Sequence, residues 1–224
     1  MRIFSTLLFF LFTLNLSAQS IWIKGGIGLP SGSYSNSNIQ KSDNRFAQSG
    51  YFYALQVDYP VLKKTSVIMQ AGQASQRFDA SAFEAGMAAQ TTQNTLSIQK
   101  ISDYQSSYAL AGIRLGIGDK RILYGVQASF GFMQLRTPAY IIQHTYPSNT
   151  GYEWVEAHQD MTVAFAWELF VNYKINSHLF LQVQLEHFNA TFQVPSTTYI
   201  SGNVPTVDLQ LDVYQAGIGL GYRF

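Results

Sequence analysis

The chain has 224 residues, enough for one sizeable domain or a barrel, and no cysteine, which excludes disulfides, thiolate metal sites and cysteine nucleophiles. Charged residues make up only 12 %, about half the ~25 % usual in soluble domains, while aromatics reach 15 % with 14 Tyr and 16 Phe. A formal net charge of +1 carries no electrostatic footprint for nucleic acid, and a mean hydropathy of zero excludes a bundle of membrane-spanning helices.

The chain opens with MRIFSTLLFFLFTLNLSAQS: Arg2, an apolar run from Ile3 to Leu16, then small and polar residues at Ser17, Ala18 and Gln19. That is the layout of a secretory signal peptide over residues 1–18, with cleavage after Ala18. The apolar run is too short for a span of about 20 residues. Loss of Arg2 leaves acidic and basic residues in balance over 19–224.

Beyond residue 19 no stretch is apolar for long enough to form a spanning helix, and period-two alternation recurs instead. SIWIKGGIG (20–28) is the first such run. YFYALQVDY places Tyr51, Tyr53, Leu55, Val57 and Tyr59 on one face and Ala54, Gln56 and Asp58 on the other. TSVIMQAGQAS (65–75) is weaker, with Val67, Met69 and Ala71 as its outward set, and SSYALAGIRLGI (106–117) follows. ILYGVQASFGF sets Ile122, Tyr124, Val126, Phe130 and Phe132 against Gly125, Gln127 and Ser129. MTVAFAWELFVNYK opposes Met161, Val163, Phe165, Trp167, Leu169, Val171 and Tyr173 to Ala164, Ala166, Glu168, Asn172 and Lys174. HLFLQVQLE and the C-terminal run complete eight strands, with a ninth and tenth possible if the second long connection hides a hairpin.

The connections alternate. Short ones fall at 60–64, 118–121 and 175–178; long ones at 29–49, 76–105, 137–160 and 194–206. Strands of 9–14 residues with large apolar side chains on one face, joined by that rhythm, predict an eight-stranded antiparallel transmembrane up-and-down β-barrel over residues 19–224. Strands can span lipid only in a closed barrel, so the apolar face meets lipid and the polar face fills the lumen. Lys24, Asp58, Arg114, Glu168, Glu186 and Arg223 form the expected lumen network, since charges in so narrow a space must pair. The glycines on that face make room for long side chains opposite. Tyr51, Tyr59, Tyr124, Trp167, Tyr173 and Tyr222 suit the interfacial girdle. In VDLQLDVYQAGIG the apolar parity changes between Val213 and Tyr214, which predicts a bulge there or an upper part outside the membrane.

The chain ends AGIGLGYRF, with Ile218, Leu220, Tyr222 and Phe224 on one face and nothing after the last aromatic. This ending resembles the terminal signal of outer-membrane barrels read by the barrel-assembly machinery. With eight strands and a signal peptide, the whole mature chain resembles a small outer-membrane barrel of the OmpX/OmpA-barrel type. Its start, IWIKGGIGLPSGSYSN, and its LSAQ junction resemble such proteins from Bacteroidota. The resemblance implies location in the cell outer membrane, contact with outer-membrane lipid and lipopolysaccharide, and no cofactor.

Function then falls to the long loops. The first, Ser/Asn-rich, reads as solvated and mobile, and the second contains an Ala-rich stretch, Ala80 to Ala89, with helical character weakened by Gly86. The third carries Tyr140, Tyr146, Tyr152 and Trp154, recognition candidates that serve equally well as a cap over the barrel mouth or as hairpin strands above the membrane. His144, His158, Glu153, Glu156 and Asp160 share that loop, but nothing in their spacing makes them converge on a metal. Some eight-stranded barrels are lipid A deacylases with a His, a Ser two residues later and a Glu on the outer wall. Here His187 is followed at that position by Asn189, and Thr191 lies further along, so no activated hydroxyl is evident. The expected role is non-enzymatic, in envelope structure or in interaction with a surface or envelope partner, with a narrow pore as the second reading.

Overall fold

The computed structural model describes residues 20–37, 45–89, 95–119, 121–146, 149–195 and 206–224; residues 1–18 lie outside the described residues. The described residues form eleven strands, beginning with β1 Ser20–Pro30, β2 Ala47–Leu62, β3 Thr65–Phe78, β4 Thr95–Lys100, β5 Tyr104–Gly118 and β6 Ile122–Arg136. They continue with β7 Tyr140–Tyr146, β8 Asn149–Val155, β9 Gln159–Lys174, β10 Leu179–Pro195 and β11 Thr206–Arg223. Eight of them close an antiparallel barrel in the order β1-β2-β3-β5-β6-β9-β10-β11, with β11 pairing back onto β1. Each sequential neighbour pairs with the next, so the barrel is up-and-down. The other three, β4, β7 and β8, form a separate antiparallel sheet in the order β4-β7-β8.

All eight expected barrel strands exist, and most run further toward the long loops than the alternation suggested. Among its described residues the second long connection holds one strand, β4, rather than a hairpin. It pairs with the hairpin of the third loop, so the barrel keeps eight strands. The short turns after β2, β6's predecessor β5, and β9 lie at the end of the barrel that also carries Ser20 and Phe224.

No bulge occurs at Val213–Tyr214. The register of β11 against β10 runs unbroken from Pro195↔Thr206 to Leu179↔Tyr222. What changes is the environment. Up to Tyr214 the outward residues of β11 are apolar (Tyr222, Leu220, Ile218) and its inward Gln215 is polar; beyond it Val213, Leu211 and Leu209 point inward and are buried. In β10 the inward set changes in the same way, from Gln182, Gln184 and Glu186 to Phe188, Ala190, Phe192 and Val194. On these two strands the lower part is apolar outside and polar inside, as lipid demands, while the upper part is polar outside and apolar inside, as water demands; on β6 and β9 the outward Phe132, Val163 and Met161 stay apolar. One continuous strand serves both solvents by exchanging the polarity of its two faces.

Apolar side chains cover the outside of the lower barrel: Ile23, Leu55, Ile113, Val126, Phe130, Val171, Val183 and Ile218 are all exposed. Among the described residues no helix is long and apolar enough to cross a membrane, so any crossing is made by strands. Two short helices lie above the barrel, α1 Gly32–Ser35 and α2 Ala80–Ala88. Asp79 caps α2 by accepting from the Ala82 N–H at 3.0 Å, which satisfies one of the free donors of the first turn. Helix α2 buries Phe83 while Gly86 sits within it. The first loop is anchored at both described ends, because Tyr34 of α1 and Phe46 are buried in the same core. Solvation therefore describes only part of that loop, and residues 38–44 lie outside the described residues.

Candidate functional site

The lumen decides whether anything passes through the barrel. Lys24 of β1 donates to Gln56 Oε1 and to Glu168 Oε2, both at 2.6 Å, and its side chain and that of Glu168 are 0 % exposed. Arg114 of β5 donates to Asp58 Oδ2 at 2.9 Å and to Gln182 Oε1 at 2.8 Å. Asp58 also accepts from Trp22 Nε1 at 3.0 Å. Gln182 in turn donates to Glu168 Oε1 at 2.8 Å. Glu186 accepts from Gln70 through both oxygens at 3.1 and 3.2 Å, and Gln127 donates to Gln70 at 3.2 Å. The Arg114 guanidinium lies 3.6 Å from the centre of the Phe170 ring, a cation–π contact. These contacts draw on seven of the eight barrel strands, all but β11, and reach across the barrel axis.

Five of the six expected lumen charges sit in this network. Arg223 does not. It lies exposed at the barrel end as the last residue of β11, paired with Ser20, its guanidinium 4.8 Å from the Phe180 ring. The inward glycines admit large rings: a Cβ on Gly221 would come within 2.5 Å of the Trp22 ring, the same ring that bonds Asp58.

Above the network the interior becomes apolar. Tyr108 packs on Phe188 with ring centres 4.7 Å apart, and Met133, Leu135, Phe192, Leu209, Leu211 and Val213 fill the same layer. The core continues upward into the loops. Phe83 packs on Phe46 and Phe78, and Tyr140 stacks on Phe78 at 5.3 Å. Burial raises the phenol pKa of Tyr34 well above its usual range and that of Tyr140 likewise, with Glu153 adding to the latter. The passage is therefore filled twice, by a polar layer below and an apolar one above.

The β4-β7-β8 sheet is tied to the barrel rim at its base, where the Ile101 N–H donates to Ala139 O at 2.9 Å and the Thr137 N–H to His158 O at 2.8 Å. Strand alternation gives the sheet two unlike faces. Its inner face carries Tyr140, Ile142, Ile98 and Val155, which pack on the core beneath. Its outer face carries two cross-strand rows, Ser97–Gln143–Tyr152 and Gln99–Ile141–Trp154. These six residues line one open groove of about 300 Å³. Tyr152 and Trp154 are 65 % and 69 % exposed.

The four recognition candidates of this loop thus divide. Tyr152 and Trp154 are presented outward. Tyr140 is a core residue of the cap, since its parity in β7 is that of Ile142. Tyr146 pairs with Asn149 at the hairpin end, and its side chain lies outside the described set. The three groove polar groups, Ser97, Gln99 and Gln143, were not legible beforehand, because Ser97 and Gln99 belong to a different loop and meet Tyr152 and Trp154 only through β7.

The girdle candidates all point outward. Tyr59, Tyr124, Tyr173 and Tyr222 cluster near the short-turn end, and Tyr51 and Trp167 lie near the loop end. Tyr51 and Tyr59 are eight residues apart, about 27 Å along the strand and roughly 20 Å along an axis tilted by about 40°. The outer rim also holds the residues of the enzymatic alternative. His187 Nε2 pairs with Asp212 Oδ1, and the His187 ring sits between Tyr214 and Trp167 at 4.5 and 5.5 Å. An acid partner for His187 exists, then, but Asn189 lies directly across from Asp212. Thr191 is four residues along, about 13 Å from His187 along the strand and far beyond the hydrogen-bond reach a nucleophile needs. His144 lies 3.7 Å from Glu153, and among the described residues no three His, Asp or Glu side chains converge as a metal site would require.

No protein-family model matches the chain, and no curated protein matches it in sequence. Among solved structures, neisserial surface protein A superposes with a TM-score of 0.51 at 7 % identity, over 92 % of this chain and 97 % of that one. Ail of Yersinia pestis, in complex with the heparin analogue sucrose octasulfate, gives 0.48 at 12 % identity over 93 % and 99 % of the two chains. OprG of Pseudomonas aeruginosa gives 0.47 at 12 % identity over 93 % and 97 %. The fold is that of the small outer-membrane β-barrels.

Proposed function

We propose that this chain is an integral outer-membrane barrel without enzymatic activity, whose lumen is closed and whose working surface is the loop cap. Residues 1–18 export it and are removed. The terminal face of Ile218, Leu220, Tyr222 and Phe224 presents it to the barrel-assembly machinery. Lipid and lipopolysaccharide surround the apolar belt, and a surface or envelope partner meets the cap. The single observation that carries this reading is the exchange of polarity along β10 and β11. A belt that is apolar outside gives way to a section that is folded like a water-soluble domain, so the cap is a built structure rather than a set of connecting loops. The doubly filled interior argues against a pore, and a His–Asp pair facing Asn189 lacks the hydroxyl for acyl transfer.

The test is the electrophoretic mobility of protein from purified outer membranes, with and without boiling, together with planar-bilayer recording. Folded barrel in the membrane fraction, shifting on boiling, with no conductance steps, is the expected result. Deletion of Phe224 is expected to reduce the folded fraction. Protein found soluble in the periplasm with no shift overturns the location; reproducible unit conductance overturns the closed lumen.

A further inference from the structure

The outer groove of the β4-β7-β8 sheet has a composition that selects its ligand. Its lining is two exposed aromatic rings, two primary amides, one hydroxyl and one isoleucine, with no charged side chain among them. The nearest charged groups of the sheet have the opposite parity: Glu153 is paired with His144, and Lys100 with Asp103 at 3.0 Å. Ser97, Gln99 and Gln143 make no side-chain hydrogen bond within the described protein, so their donors and acceptors stand ready in the groove.

Each feature narrows the ligand. A neutral lining offers no counter-charge to a phosphate, sulfate or carboxylate, which would lose its hydration for nothing in return. A purely apolar ligand would leave two amides and a hydroxyl unpaired. A ligand that fits has flat apolar faces for the rings and many neutral groups that both donate and accept. An amide, with an acceptor oxygen and two N–H donors, matches a pair of neighbouring hydroxyls. Tyr152 and Trp154 are two positions apart on one face of β8, so their attachment points are about 7 Å apart, a step that linked sugar rings bridge. The groove volume of about 300 Å³ is at the lower end of the roughly 300–1,000 Å³ typical of small-ligand sites.

We propose that this face is a binding site for an uncharged oligosaccharide, with sugar rings stacked on Trp154 and Tyr152 and hydroxyls met by Gln99, Gln143 and Ser97. The proposal rests on the cap being the working surface. The rings sit on a sheet pinned to the rim through Ile101 and Thr137, so little ordering is needed on binding. The same rigidity distinguishes the site from a flexible loop.

The experiment is calorimetric titration of the full mature chain, folded in detergent micelles, with maltohexaose, cellohexaose and chitohexaose, and with dextran sulfate as the anionic comparison. At least one neutral hexasaccharide is expected to bind with an affinity unchanged between low and high salt. Trp154→Ala should weaken it about tenfold or more, as expected when a central aromatic is lost. Gln143→Ala should weaken it severalfold. The boiling-dependent gel shift checks that each variant is folded. Binding of none of the three, binding of dextran sulfate alone, or binding insensitive to Trp154→Ala in a folded variant each overturns the assignment. A wild-type protein that shows the gel shift but binds no oligosaccharide refutes the ligand and leaves the barrel reading standing. Absence of the shift refutes the barrel reading itself.

Discussion

Replacing Lys24 by Met probes the lumen most directly. The Lys24 ammonium is held between Gln56 and Glu168 at 2.6 Å, with both ionic side chains wholly buried. Glu168 stands directly opposite Glu186 in the β9–β10 register, on the same inward face. Arg114 is committed to Asp58 at 2.9 Å. Lys24→Met therefore leaves Glu168 buried, without its cation and beside another carboxylate. Removing one partner of a buried pair costs about 3–5 kcal/mol, and like charges placed opposite on a sheet add to the penalty. Lys24→Met/Glu168→Met removes both charges and keeps the volume. Gln182 keeps Gln184 as an acceptor and Gln56 Oε1 loses its Lys24 donor, so the double variant should fall within about 2 kcal/mol of the parent. The assay is reversible urea unfolding of the barrel in lipid vesicles, followed by tryptophan fluorescence with the gel shift as a second probe. If Lys24→Met costs less than about 1 kcal/mol, the range of solvent-exposed pairs, the lumen is wet and the closed-interior reasoning fails.

Two further outcomes test the upper layer. Phe192 is fully buried in the apolar section, and Phe192→Ala should destabilise by about 3–5 kcal/mol in the same unfolding assay; a loss below about 1 kcal/mol would mean that this section is not a packed core. The phenols of Tyr34, Tyr104 and Tyr140 are pushed above the ordinary tyrosine range by burial. Each is neutral in the fold and ionises more easily when unfolded, so its contribution is complete below pH ~10 and is lost as pH rises past that value. Alkaline absorbance titration should show a delayed class of tyrosines, with the cap becoming protease-sensitive as they ionise. A single titration of all tyrosines near pH 10 would contradict the burial.

The residue order alone determined the barrel. Lipid imposes a period of two over each crossing, and Leu55, Val126, Val171 and Ile218 carry that period in the chain itself, as do the short and long connections between strands. The inward charges Lys24, Asp58, Arg114, Glu168 and Glu186 were legible for the same reason. Their pairing was not, because which strand faces which across an eight-stranded ring depends on closure and stagger. The change of parity in β11 was visible as a pattern, with a bulge and an upper part outside the membrane both open as its cause. A bulge and a change of solvent leave the same trace in one strand, and only the unbroken register against β10 tells them apart. Tyr140 and Trp154 look alike in sequence; a single step of parity buries one in the cap and presents the other to solvent. The groove itself belongs wholly to tertiary structure, since Gln99 and Trp154 meet across Ile141 only when β4 of one loop adds to the hairpin of another. Local periodicity records the solvent on each side of a strand, and contacts between loops distant in sequence leave no such record.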